Sequence, residues 1–352
     1  MNQPAYKVAA MHAAPVYLNA DKTADKACDL IAEAARAGAE LIAFPESFIP
    51  GFPVWAALQP PTHGHDLFKA FVASSVRVDG PQISRIQSAA RKHAVSVSVG
   101  FSESTSSSVG CIWNSNILIS PDGVIVSHHR KLVPTFYEKL IWANGDGHGL
   151  RVHEIGHLGR IGMLICGENT NPLARYALIA QGEQVHISSY PPVWPTRPPG
   201  TGADYDLESA IRIRAGAHSF EGKVFNVVAA GAVNNELKLL AEKISPEARA
   251  TLDSTATGAS MIIGPTGTVI SDVQSGEEAI VYCDIDLDEC IEPKQFHDIS
   301  GYYNRFDVFG LTVDQTRLEP AHFHDNTAPI DGRPVPVFEN NPELRETGDP
   351  RE

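Results

Sequence analysis

The segment Arg160-Ile-Gly-Met-Leu-Ile-Cys166-Gly-Glu-Asn-Thr-Asn171-Pro172 decides the fold class of this chain. The short apolar run before Cys166 is typical of a buried strand. Asn171 suits a helix N-cap and Pro172 the first helical position, so a helix is predicted over 172–181. Cys166 is thus expected at a strand end near a helix N-terminus, where a reactive thiolate is stabilised. The alternative is a small buried cysteine that only packs.

Two other strand-like runs end on groups that favour the catalytic interpretation. The apolar stretch 41–44 leads to Glu46, and the strand predicted over 124–127 leads to Lys131. In α/β proteins, strand ends that face a crevice are where catalytic groups lie. A carboxylate, an amine and a thiol would supply a general base, a cationic stabiliser and a nucleophile.

With these three positions, the chain resembles the nitrilase branch of the carbon–nitrogen hydrolase superfamily. The Glu-Lys-Cys triad of that family matches Glu46, Lys131 and Cys166. The resemblance runs in the family's order over about residues 5 to 312. It is carried by the stretches 130–147, 164–178, 180–187, 217–228 and 301–309.

Strand-like and helical patterns alternate along the chain and indicate a mixed sheet layered with helices. They include a helix over 236–250 and a strand over 269–272, the latter joined to its neighbour by the turn Pro265-Thr-Gly267. The resemblance implies an α/β fold, the four-layer α-β-β-α sandwich. We expect one domain over 1–312 and a polar, Pro-rich tail over 313–352 that is partly disordered or lies at subunit contacts.

The resemblance also implies an enzyme of nitrile metabolism that forms a carboxylic acid and ammonia. Glu46 would take the proton of Cys166, and the thiolate would attack the nitrile carbon to form a thioimidate, then a thioester. Lys131 would stabilise the tetrahedral intermediate, and Glu138 would position Lys131 or a water. Glu168 is expected to hold the nucleophile loop by accepting backbone N–H bonds.

The substrate pocket is predicted from two positions that differ from the usual residues of the family and from several aromatic residues. Gly167 and Ala143 stand where the family usually has Trp and Gly. The missing indole at Gly167 favours a bulkier substituent, and an aromatic or arylaliphatic nitrile is expected. A Pro-rich loop over 190–202 would border the pocket. The candidate lining side chains are Trp142, Phe136, Tyr190 and Trp194, of which the last two belong to this loop.

Three alternatives stay open at this point. The same triad serves amide-forming nitrile or cyanide hydratases and amidases, and a non-enzymatic filament protein is the third class. The histidine groups of the chain lack a recognised metal-site spacing, so no metal or cofactor is expected. They are His63 with His65, His128 with His129, and His148 with His153 and His157.

The charge and the cysteines exclude several partners and compartments. A formal net charge of −14 argues against nucleic acid or an anionic membrane as a partner. The five cysteines are odd in number and lack a Cys-x-x-Cys pair, so a reducing, cytoplasmic location is expected. The resemblance implies a homo-oligomer built from dimers, with spiral or filament assembly.

Overall fold

The apolar runs of the sequence form the strands of two sheets. The structure, a computed structural model, describes residues 5–321. Across these residues the strands are β1 (Tyr6–His12), β2 (Ala39–Ala43), β3 (Ser96–Ser104), β4 (Ile112–Ile119), β5 (Ile125–Arg130), β6 (His153–Glu154), β7 (Arg160–Ile165), β8 (Val185–Tyr190), β9 (Phe225–Ala230), β10 (Ala259–Ile263), β11 (Gln274–Ser275) and β12 (Ala279–Ile285). The first sheet has the order β12-β1-β2-β3-β4-β5 and the second β11-β10-β9-β8-β7-β6.

Helices cover the outer faces of both sheets. In the same described part of the chain, the helices are α1 (Ala20–Arg36), α2 (Trp55–Leu58), α3 (His65–Ser74), α4 (Pro81–His93), α5 (Pro172–Ile179), α6 (Leu207–Gly222), α7 (Asn235–Ile244), α8 (Pro246–Ser254) and α9 (Ile291–Phe296). Asn19 caps α1 by accepting the N–H of Lys22, and the apolar face of the helix buries Ile31.

The core divides into layers that match the predicted sandwich. Ile31 of α1 and Ile86 of α4 pack with Val97 on the outer face of the first sheet. A second cluster fills the space between the sheets, with members from both such as Leu41 and Ile187. Outside the second sheet, the side chains of α6 pack on β9 and β10. The four-layer α-β-β-α architecture is therefore confirmed.

Parallel strands at the centre of each sheet bring strand ends together. β1, β2 and β3 are mutually parallel in the first sheet, and β7, β8 and β9 in the second. All six residues of β8 are buried, as expected for a strand covered on both faces. The loops that follow β2, β5 and β7 carry the three groups predicted to react.

Two predicted elements differ from the structure. The helix predicted over 236–250 is two helices, because Pro246 cannot continue α7 and Ser245 caps α8 by accepting the N–H of Ala248. The strand predicted over 269–272 is wrong. Only an isolated bridge joins Val269 to β10, since the Ser271 hydroxyl accepts the Ile262 N–H at 2.8 Å in place of a backbone carbonyl.

The chain divides into one unit that ends at Arg317 and another that begins at Leu318. Arg317 donates to Asp146 at 3.2 Å and to the carbonyl of His128 at 2.8 Å. The remainder of the predicted tail, 322–352, lies outside the described residues. Among the helices that are described, none has the length and apolar character needed to cross a bilayer.

Candidate active site

Glu46, Lys131 and Cys166 converge on one buried point between the sheets. Glu46 follows β2 and Lys131 follows β5 in the first sheet, whereas Cys166 follows β7 in the second. A carboxylate oxygen of Glu46, one of Glu138 and the thiol of Cys166 lie within 4.8 Å of one another. The structure thus brings together all four residues that the sequence singled out as catalytic candidates.

Lys131 is held between the two carboxylates. Its ammonium donates to Glu46 Oε1 at 2.7 Å and to Glu138 Oε2 at 2.6 Å, and all three side chains are fully buried. Burial by itself would lower the pKa of Lys131, but Glu138 and Glu46 outweigh it and raise that pKa well above its ordinary value. Lys131 is therefore held in its cationic form although its side chain is closed to bulk solvent.

The carboxyl group of Glu46 is poised to exchange a proton near neutrality. Burial raises its pKa most, the ammonium of Lys131 lowers it and Glu138 raises it, which gives a value of about 7. Asn114 also donates to Glu46 Oε1, at 2.7 Å. A carboxylate with this pKa is well matched to general base chemistry at physiological pH.

The surroundings of the Cys166 thiol oppose its ionisation. Burial, and then the nearby Glu46, raise the pKa of Cys166 well above its ordinary range, although Lys131 acts in the opposite direction. A turn over Cys166–Thr170 separates the thiol from α5, and the first N–H groups of that helix are taken by the side chain of Asn171. A thiol with a raised pKa reacts more readily with a base close by, and a carboxylate oxygen of Glu46 lies within 4.8 Å of it.

The backbone of Cys166 is held in an uncommon conformation. Its φ angle is 50°, in the left-handed region that residues with a Cβ adopt rarely. The side-chain amide of Asn169 donates to the carbonyl of Cys166 at 3.1 Å and to that of Leu164 at 3.3 Å. These bonds across the turn hold the backbone of Cys166 in place.

Glu168 links the cysteine loop to the lysine loop, and its predicted role in holding the loop is confirmed. Its two carboxylate oxygens accept the N–H of Ile165 at 2.7 Å and the N–H of Leu132 at 3.0 Å. His129 contacts the same carboxylate at 2.6 Å. Burial alone would raise the pKa of Glu168, yet His129 and the two N–H groups leave it lowered.

Aromatic side chains form one wall beside the buried groups. The rings of Tyr137 and Trp194 stack with centroids 5.6 Å apart, and Phe136 and Tyr205 meet Trp194 edge-on at 6.1 and 5.2 Å. Phe136 and Tyr137 border an open groove of about 640 Å³, together with residues 195–198 of the Pro-rich loop. Phe136 itself is 63% exposed.

The other three predicted pocket residues have different surroundings. Tyr190 packs beside Cys166, and its carbonyl accepts the N–H of Glu46 at 3.3 Å. Trp142 is buried against Phe52 and donates to Ser102 Oγ at 3.0 Å, which are the contacts of a core aromatic. A Cβ on Gly167 would come within 2.7 Å of Thr135 Oγ1.

Two residues near the reacting groups were not predicted from the sequence. Asn114 lies on β4 and carries no local motif, because its contact with Glu46 joins positions 68 residues apart. Tyr137 lies between Phe136 and Glu138 but is not among the predicted residues. Burial, and then Glu138, Cys166 and Glu46, raise the pKa of its hydroxyl. A ring placed directly before a predicted catalytic carboxylate was the available signal.

Comparison with known proteins agrees with this architecture. The chain matches the family described as carbon–nitrogen hydrolase over residues 7–295. It is 35% identical over 311 residues to an arylacetonitrilase of Hypocrea virens, which covers 88% of this chain and 92% of the relative. An aliphatic nitrilase of Rhodococcus rhodochrous is also 35% identical, over 321 residues, with 90% and 85% covered.

Solved structures give the same fold. Nit3 of Saccharomyces cerevisiae, a member of branch 10 of the nitrilase superfamily, is 16% identical with a TM-score of 0.66, and the match covers 88% of this chain and 98% of that one. At this identity the likeness supports the fold alone. The extent of the family match and the identity to the curated relatives are enough to place the protein: this chain belongs to the carbon–nitrogen hydrolase family.

Proposed function

We propose that this protein is a nitrilase that hydrolyses an organic nitrile to the carboxylic acid and ammonia. The observation that carries the proposal is the buried ammonium of Lys131, 2.7 Å from Glu46 and 2.6 Å from Glu138, beside the thiol of Cys166. Curated relatives named arylacetonitrilase and aliphatic nitrilase favour a nitrile as the substrate over an amide.

In the proposed mechanism, Glu46 takes the thiol proton as Cys166 attacks the nitrile carbon. The new C–S bond leaves negative charge on the nitrile nitrogen, which Lys131 stabilises and a proton from Glu46 neutralises to give a thioimidate. Water then adds, ammonia departs and a thioester remains. A second water cleaves the C–S bond, releases the acid and returns the proton to the thiol.

Glu138 has a supporting part in this proposal. Its Oε2 accepts the Lys131 ammonium and the N–H of Thr135, at 2.6 and 2.9 Å. Glu138 Oε1 and Glu46 Oε2 are buried and accept no hydrogen bond from any described residue. Both oxygens are therefore available to orient the attacking waters.

We further propose an aromatic or arylaliphatic nitrile as the preferred substrate. The stacked rings of Tyr137 and Trp194 offer an apolar face that a second aromatic ring would extend. Glycine at position 167 adds no side chain directly after Cys166, in keeping with a bulkier substrate. The expected cytoplasmic location and homo-oligomeric assembly stay predictions.

The test is ammonia release by the pure protein over a panel of aliphatic, aromatic and arylacetonitriles, with acid and amide quantified. Cys166→Ala should abolish turnover, whereas Cys290→Ala, which removes another buried thiol, should retain it. Amide without ammonia would identify a hydratase. No turnover of any nitrile, followed by turnover of amides, would replace the nitrilase proposal with an amidase.

A further inference from the structure

A carboxylate joins two stacked imidazoles behind the nucleophile turn. Glu183 Oε1 contacts His186 Nδ1 at 2.7 Å, and Glu183 Oε2 contacts His218 Nε2 at 2.6 Å. The two rings lie 3.7 Å apart at 23°, and all three side chains are fully buried. Nothing in the proposed hydrolysis uses these residues, although His186 reaches the nucleophile turn through one further contact.

That contact is the side chain of Asn169, whose orientation the turn fixes. Its Nδ2 donates to the carbonyls of Leu164 and Cys166, so its Oδ1 must face the other way. Oδ1 lies 2.9 Å from His186 Nε2 and 3.2 Å from Ser188 Oγ. A flipped amide would set an acceptor against two carbonyl oxygens, so the orientation follows from the hydrogen bonds themselves.

This arrangement fixes the protonation of His186. Both of its ring nitrogens face acceptors, namely Glu183 Oε1 and Asn169 Oδ1. Burial by itself would raise the pKa of Glu183, but the two histidines lower it to about 2, so the group is a carboxylate. Either neutral tautomer of His186 would turn a lone pair toward an acceptor, which leaves the imidazolium as the form that satisfies both contacts.

The second histidine does not carry a charge. Burial, and then the proximity of His186, lower the pKa of His218 to about 4, although Glu183 acts in the opposite direction. Neutral His218 donates from Nε2 to the carboxylate and stacks on the charged ring. The cluster is thus one buried ion pair between Glu183 and His186, with His218 as a neutral partner.

The strand that carries the nucleophile also makes room for this ion pair. A Cβ on Gly162, in the middle of β7, would come within 2.1 Å of Glu183 Oε1. Any residue with a side chain at this position would displace the carboxylate, which accounts for a glycine inside a central strand. β7 therefore precedes Cys166 and also leaves space for the Glu183 carboxylate that pairs with His186.

We propose that His186 is a positioning residue for Cys166: its imidazolium, held by Glu183, fixes the amide of Asn169 and so the turn that carries the thiol. The proposal rests on the proposed function in so far as it takes Cys166 as the nucleophile. The left-handed backbone of Cys166, with φ of 50°, is a conformation that surrounding bonds must hold. Asn169 makes such a bond, and His186 orients Asn169.

A bound metal is the competing explanation of the cluster, because the same three residues have ligand atoms within 4.8 Å of one another. Two ligands at one tetrahedral zinc, each about 2.0–2.1 Å from the ion, would stand about 3.3 Å apart. The N···O separations of 2.6 and 2.7 Å are those of hydrogen bonds. The geometry therefore favours shared protons over a metal.

The first test compares Glu183→Gln with His218→Gln in the full-length protein. The amide in Glu183→Gln still accepts from His186 but no longer neutralises its charge, so the contact that orients Asn169 should weaken. We expect kcat, and the rate of Cys166 alkylation by iodoacetamide, to fall about 10- to 100-fold with KM changed much less. His218→Gln leaves the contacts of His186 with Glu183 and Asn169 in place and should keep both rates close to those of the parent.

Other charged groups packed around the cluster are left in place by this design. Arg175 of α5 donates to the carbonyl of Asn169 at 2.9 Å and pairs with Glu221 of α6 at 2.8 Å. Both are common to the two variants. A Glu183→Gln protein with the parent's kcat and alkylation rate, or an equal loss in both variants, would overturn the proposal.

A second measurement needs no variant with an altered ion pair. In histidine-labelled parent protein, ¹⁵N spectra should show a proton on both ring nitrogens of His186, which face the acceptors Glu183 Oε1 and Asn169 Oδ1. The signals of His186 are assigned as those that His186→Gln removes. A neutral ring, or one equivalent of bound zinc by elemental analysis, would overturn the proposal. The alkylation rate and the spectra do not depend on nitrile turnover. They therefore test the role of His186 even if the protein does not hydrolyse nitriles.

Discussion

Asn114 donates its side-chain amide to the same oxygen of Glu46, Oε1, that accepts the ammonium of Lys131. Both bonds favour the ionised carboxylate and oppose the effect of burial, which is the largest influence on the pKa of Glu46. Asn114 thus tunes the proposed base without contributing a charge of its own.

The pH dependence of kcat/KM should report this balance. Glu46, with a pKa of about 7, accepts a proton only when it is ionised. Activity should therefore be present above pH 7 and fall as pH drops through about 7. The measurement is kcat/KM from pH 5 to 9, with Glu46→Gln as the inactive reference. A rate independent of pH between 6 and 8 would contradict the assignment of Glu46 as base.

Asn114→Ala should move the fall in kcat/KM at acidic pH to higher pH. The reason is that the carboxylate of Glu46 loses a hydrogen-bond donor, so its pKa rises further. Ser98→Ala is the matched control, since Ser98 donates at 2.9 Å to Asn116, which lies on the same strand as Asn114, and this bond does not involve Glu46. An equal shift of the pH profile of kcat/KM in both variants would indicate a general destabilisation of the sheet instead.

Lys131→Met should destabilise the protein in a pH-dependent way. It leaves Glu46 and Glu138 buried without a cation, and removal of one partner from a buried pair costs about 3–5 kcal/mol. In the variant, a buried carboxyl group without a cation would have a higher pKa in the folded state than in the unfolded state. The folded state therefore binds more protons than the unfolded state. Its stability should therefore be lost as pH rises above about 4.5 and recover on acidification.

Urea unfolding at pH 5.5 and pH 8 would measure this difference. Lys69→Met is the matched control, because Lys69 and its partner Asp66 lie in solvent and their ion pair contributes little. The same loss of unfolding free energy at both pH values would contradict the prediction.

Trp194→Leu should raise KM for aromatic nitriles about 2- to 10-fold, the equivalent of one aromatic contact, with a smaller effect on aliphatic nitriles. The reason is that Trp194 stacks on Tyr137 beside the reacting groups. Trp142→Phe is the control, since its lost bond to Ser102 should lower Tm but leave the ratio of aromatic to aliphatic kcat/KM unchanged. If the ratio of aromatic to aliphatic kcat/KM changed only in the Trp142 variant, Trp142 and not Trp194 would contact the substrate.

Gly167→Ala should reduce kcat because its Cβ would press on Thr135, 2.7 Å away, whose N–H holds Glu138. Thr135→Ala in the same chain removes the conflicting hydroxyl and should restore part of the loss. Gly167→Trp should in addition shift preference toward slimmer nitriles. Relative rates across a size series are the measurement, and an unchanged order would remove Gly167 from the substrate site.

The candidate catalytic groups could be predicted because each follows a short run of strand-like residues. Buried strands such as β2 and β7 leave a strong signal, and the segments that follow β2, β5 and β7 meet where these strands end. This placed Glu46, Lys131 and Cys166, while Glu138 came from the family resemblance alone. Asn171 as the N-cap of α5 was also confirmed, since its contacts are local.

Contacts between distant segments could not be read from the sequence. His186 and His218 lie on β8 and α6 and meet only because both pack around Glu183. The strand predicted over 269–272 failed for a related reason. A serine hydroxyl took the hydrogen bond that a strand partner would have accepted, and periodicity carries no information about such competition.

Glu168 accepts an N–H from Leu132, which follows β5 beside the lysine, and another from Ile165, the last residue of β7 beside the cysteine. The proposed base and cation follow strands of the first sheet, and the thiol follows a strand of the second. The proposed site is therefore complete only once the two sheets have packed together. The return of activity during refolding would report that packing step.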